Sequence, residues 1–149
     1  MSLINPAYAG SEAKNMIALT SRNQWVSLEN SPKTQVMTFS SDRGKNVGLG
    51  LSFIANNFFV ERNTASYIDF SYKLNFTDET ALYLGLKAGA TFYKENLLGL
   101  TSSSISIDPA QGIFSRVNPN LGIGMLIKSP VFWFSLSVPR LFNSGGNSE

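Results

Sequence analysis

Ala65-Ser66-Tyr67-Ile68-Asp69-Phe70-Ser71-Tyr72-Lys73-Leu74-Asn75-Phe76 is the stretch that decides the fold. Ile68, Phe70, Tyr72, Leu74 and Phe76 recur at every second position, and Tyr67, Asp69, Ser71, Lys73 and Asn75 fill the gaps. Side chains alternate across a strand, so this segment is a strand with one apolar and one polar face. After a polar turn at Thr77-Asp78-Glu79, a second arm returns from Thr80 to Tyr93. Leu82, Leu84, Leu86, Ala88, Ala90 and Phe92 share one face of it; Tyr83, Gly85, Lys87, Gly89, Thr91 and Tyr93 share the other. Pairing the arms about Asp78 sets Asp69 opposite Lys87 on the polar face, and Phe70 opposite Leu86 and Tyr72 opposite Leu84 on the apolar one. A slip of one residue would mix the faces, so the pattern specifies the register. Long strands with an unbroken apolar face need a large apolar neighbour, either a lipid bilayer or a second sheet.

Working outward, the same alternation marks five more strands. The first is expected from Asn15 to Ser27, with Ile17, Leu19, Asn23 and Trp25 facing away from Met16, Ala18, Thr20, Arg22, Gln24 and Val26. Trp25 at a strand end fits the aromatic girdle of a membrane barrel. The second runs from Thr34 to Ser41 and the third from Val47 to Asn57, where Val47, Leu49, Leu51 and Phe53 alternate with Gly48, Gly50, Ser52 and Ile54. The sixth, Pro119 to Ser129, sets Leu121, Ile123, Met125 and Ile127 against Asn120, Gly122, Gly124 and Lys128. The seventh, Val131 to Val138, sets Phe132, Phe134, Leu136 and Val138 against Trp133, Ser135 and Ser137. A two-residue turn at Ser129-Pro130 would place Gly124 opposite Ser135, with Trp133 over Gly122 or Gly124. Asn5-Pro6-Ala7-Tyr8-Ala9-Gly10-Ser11 reads as a short irregular segment tucked against the fold.

Every second connection looks short; the others are equal or longer, Lys94–Asn118 being the longest and Asn57–Asn63 carrying Phe58-Phe59-Val60. Outer-membrane barrels have short periplasmic turns and longer outside loops, which would start this chain on the periplasmic side.

Composition agrees. The chain has 149 residues, 43% hydrophobic and only 15% charged, with a mean hydropathy of −0.01. Soluble domains carry about 25% charged residues. No apolar run reaches the roughly 18 residues of a membrane-spanning helix, whereas a barrel dilutes its apolar signal with a polar lumen. The net charge of +2 is too mild to argue for nucleic acid. With no cysteine and no histidine, disulfides, Cys/His metal sites and Ser-His hydrolases are excluded. No signal-peptide pattern opens the sequence, so for an exported protein the N-terminus would be trimmed or the chain a fragment.

The polar face is mostly Gly, Ser and Asn, with charges only at Asp69, Lys73, Lys87 and Lys128. Small residues with scattered ion pairs suit a crowded lumen better than a water-facing sheet. The fold class read from the sequence is therefore all-β: an antiparallel up-and-down transmembrane β-barrel, with about seven strands of a larger barrel in residues 1–149 as a single domain. Seven strands are too few to close such a barrel, and open edges are not tolerated in lipid. Asp78-Glu79 is a solvated turn rather than a metal or acid–base pair, and Asp69 with Lys87 is a structural cross-strand ion pair. Gly48-x-Gly50 and Gly122-x-Gly124 are not nucleotide loops, because no helix follows; in strands they leave room for neighbouring lumen side chains. No catalytic, cofactor-binding or metal residues are assigned, and no small-molecule substrate or nucleic acid is expected.

Four stretches in order carry a family resemblance: Asn5 to Ser11; Arg22-Asn23-Gln24-Trp25 followed by Pro32-Lys33-Thr34; Val47-Gly48-Leu49-Gly50-Leu51-Ser52; and Asn118-Pro119-Asn120-Leu121-Gly122-Ile123-Gly124 leading to Leu136-Ser137-Val138-Pro139-Arg140-Leu141. Together they resemble the PorP/SprF family of the Bacteroidetes type IX secretion and gliding apparatus. The resemblance implies a bacterial outer-membrane barrel about twice this size, of which this chain is the N-terminal half without its signal peptide. It implies lipid, type IX components and secreted surface adhesins as partners, and no enzymatic activity. Two other functions fit the residues: a small-solute channel barrel, which needs an open, charged lumen, and a soluble β-sandwich binding module, which needs the Phe70/Leu84/Phe134 face covered by protein.

Overall fold

A computed structural model describes residues 1–12, 15–25, 31–59, 61–96 and 113–142. A 3₁₀ turn at Pro6–Tyr8 precedes seven strands: β1 (Asn15–Asn23), β2 (Lys33–Asp42), β3 (Val47–Phe58), β4 (Glu61–Asn75), β5 (Ala81–Asn96), β6 (Ile113–Lys128) and β7 (Trp133–Val138). They form one antiparallel sheet in chain order, curled into half of an up-and-down barrel. The central hairpin has the register its pattern requires: Asp69 pairs with Lys87, Phe70 with Leu86 and Tyr72 with Leu84.

Burial is inverted relative to a soluble domain. Asp69 is 0% and Lys87 2% exposed, while Phe70 is 42% and Leu86 59% exposed. Ser40, Ser52 and Ser71 are buried on the concave side; Ile17, Leu51, Phe53, Ile68, Leu84, Ile123, Phe134 and Leu136 stand exposed on the convex side. Among the described residues no second sheet covers the Phe70/Leu84/Phe134 face, as a sandwich would require. Exposed aromatics mark both rims, Phe76 and Phe132 at one and Trp25, Phe58, Phe59 and Phe92 at the other. This is the girdle arrangement of a barrel in lipid.

Three expectations are corrected. First, β7 begins at Trp133 and pairs Gly124 with Ser137, two residues from the expected register. Two-residue hairpin loops favour residues with positive φ, which Pro130 cannot adopt, so the connection widens to residues 129–132, where the Ser129 N–H donates to Phe132 O at 2.9 Å. A slip of two preserves the faces. Second, strands run further toward the Trp25 rim than expected. β3 and β4 are separated only by residues 59 and 60, and β5 and β6 pair out to Asn96 and Ile113, which removes both ends of the expected Lys94–Asn118 loop. The connection between β3 and β4 is thus shorter than the turns at the other rim. Third, β1 ends at Asn23: the Gln24 N–H donates to Pro32 O, and Trp25 takes a φ of 53°. Val26, Ser27 and Val60 lie outside the described residues, as do residues 97–112.

Candidate functional site

Residues 1–11 lie in the concave face as a plug. Asn5 begins the 3₁₀ turn: its Oδ1 accepts from the Ala7 N–H at 2.9 Å, and Pro6 follows where no N–H is needed. The Asn5 amide also donates to Met125 O at 3.1 Å and reaches Leu136 O at 3.4 Å, tying the turn to β6 and β7. Pro6, Ala7 and Ala9 are fully buried. Ala7 packs with Tyr83 and Leu126 in a small apolar cluster that Tyr8 and Ala81 border.

The sheet receives the plug at glycines on its concave face. A side chain on Gly85 would strike the backbone of Pro6 and Ala7; one on Gly48 would strike Ala9, and one on Gly124 would strike Asn5 and Pro6. Gly10 leaves the turn at a φ of 70°, the left-handed conformation open to glycine. Hydroxyls and ammonium groups of the strands complete the seat. Ser71 Oγ donates to Ala9 O, Ser137 Oγ to Ile4 O at 3.3 Å, and Lys128 Nζ to Ser11 O at 3.4 Å; Ser40 Oγ accepts from the Gly10 N–H at 2.7 Å.

Beneath the plug sits the ion pair. Lys87 Nζ lies 2.6 Å from Asp69 Oδ1, donates to Ser2 O at 3.2 Å, and stands 5.2 Å from the centre of the Tyr67 ring. Tyr67 shares a 3.0 Å hydrogen bond with Thr91. The structural ion pair read from the sequence is therefore present, with Lys73 elsewhere, 5.9 Å from the Tyr83 ring centre. Trp133 does not cover Gly122 or Gly124. It pairs with Lys128 at the rim beside Met1, Tyr8 and Leu126, because Pro139 O occupies the space over Gly122 and the plug that over Gly124. Asp78 and Glu79 are exposed on their turn, and among the described residues no three metal-ligating acidic side chains come together.

The seat itself was missed in the sequence, although glycines at 48, 85 and 124 share the inward face once the register is known. An antiparallel sheet that exposes its apolar face, buries its charges and lines its hollow with small polar residues is the wall of a membrane β-barrel. The model of the PorP/SprF family, described as type IX secretion system membrane protein, matches residues 1–149, and the chain belongs to that family. No curated protein and no solved structure matches it.

Proposed function

We propose that this chain is a non-enzymatic outer-membrane component of the type IX machinery that assists the secretion or surface anchoring of large adhesins. The coarse role follows from the family; the choice of an assembly role over a solute channel rests on one observation, the plug. A permeation path needs an open polar lumen, and here the Ser2 carbonyl stands over Lys87 and Ala9 packs beside Asp69, covering the ion pair that would line it. Residues 1–149 act as one domain, lipid covers the convex face, and further strands close the barrel because β1 and β7 leave bare edges that lipid does not tolerate. The contact surfaces for partners are the Phe58-Phe59 corner and the connection between β5 and β6.

The test is co-purification of the tagged chain from cells that carry the machinery, paired with conductance of the chain in planar bilayers. Capture of type IX components or an adhesin with no conductance supports the assembly role. Steady conductance without capture would sink it in favour of the channel.

A further inference from the structure

We propose that the plug is a displaceable closure, and that the Asp69–Lys87 pair beneath it keeps it displaceable. Ala9 lies over Gly50 beside Asp69, and the Ser2 carbonyl stands over Lys87. Both charged residues belong to strands, β4 and β5, and pair across the sheet whether or not the plug is seated. Seating therefore changes their access to lumen water. It strips water from a carboxylate and an ammonium and returns one hydrogen bond, from Lys87 to Ser2 O. Asp69 Oδ2 has no hydrogen-bond partner among the described residues. Desolvating two charges, one with an unfilled oxygen, opposes seating more than one charge-assisted hydrogen bond favours it.

What holds the plug down is mostly neutral. Its grip comes from contact with glycines, from Asn5, Ser40, Ser71 and Ser137, and from the Ala7–Tyr83–Leu126 cluster. These oppose a charged floor, which leaves the seated and released states closer in free energy than an apolar floor would. The device needs the barrel lumen but no particular cargo, so a failed co-purification leaves it standing.

The chain has no cysteine, so Ser2→Cys provides a single label at a buried plug position. The measurement is the labelling rate by a water-soluble maleimide in lipid vesicles. Exchanging the pair for apolar residues, Asp69→Leu with Lys87→Met, should slow labelling by on the order of tenfold. Lys87→Met alone strands a carboxylate under the plug and should accelerate it. A double variant that labels as fast as its parent, or faster, overturns the proposal. A second measurement on the unaltered chain stands independently of how the variants fold. Amide exchange at Ala7 and Gly10, both bonded to side-chain oxygens, should run at least roughly tenfold faster than in the β4–β5 ladder. Exchange of plug and ladder as one unit would overturn it as well.

Discussion

The concave face divides into two halves built on the same strands. Toward the rim that carries the turn at residues 129–132, Gly48, Gly85 and Gly124 stand where the plug backbone approaches. Toward the other rim, Tyr93, Glu95, Ser115, Arg116 and Asn118 border an open cleft of about 640 Å³. Glycine serves both halves differently: Gly85 admits the plug backbone, while Gly89 admits the Tyr67 ring of its own sheet. Side-chain size along a lumen strand thus records what lies opposite it, plug backbone at Gly85 and a ring of the sheet itself at Gly89.

That contrast can be broken by substitution. The largest effect is expected from Lys87→Met, which leaves fully buried Asp69 uncompensated; denaturant unfolding in lipid should show a loss of about 3–5 kcal/mol. Gly85→Leu drives a side chain into Pro6 and Ala7 and should cost about 3 kcal/mol, with faster Ser2→Cys labelling as the sign that the plug has moved. Asn5→Ala removes a cap and the ties to β6 and β7, and should cost about 1–2 kcal/mol in the same unfolding assay. In the open half, Ser115→Ala should stay within about 0.5 kcal/mol and leave labelling unchanged. Equal losses at Gly85 and Ser115 would erase the distinction between the halves. A Gly85 loss confined to labelling would sharpen it, by separating the plug from the stability of the wall.

Legibility in the sequence followed the exposed apolar band. Where the convex face is apolar, alternation is clean, and the Asp69/Lys87 match sets the β4–β5 register outright. Beyond the apolar band both faces turn polar. Asn56 still pairs with Asn63, and Lys94 with Ser115, yet nothing in residue type separates such a ladder from a loop. The β6–β7 register slipped by two because a shift of two keeps every face correct, so only the turn chemistry of Pro130 could have chosen. The Asn5–Ser11 segment reads from the sequence as tucked, but its seat draws on six strands, β2 to β7, and no local pattern encodes such a meeting.

That separation also bears on the order of folding. The two hydrogen bonds that the Asn5 amide donates span 120 and 131 residues. Contacts of such range form slowly, because the entropy of closing the intervening chain is lost before they return anything. Asn5 finds both acceptors only when Met125 and Leu136 already face each other across β6 and β7. The plug therefore docks after β6 and β7 have found their register, since a shifted pair does not bring the two acceptors of Asn5 together.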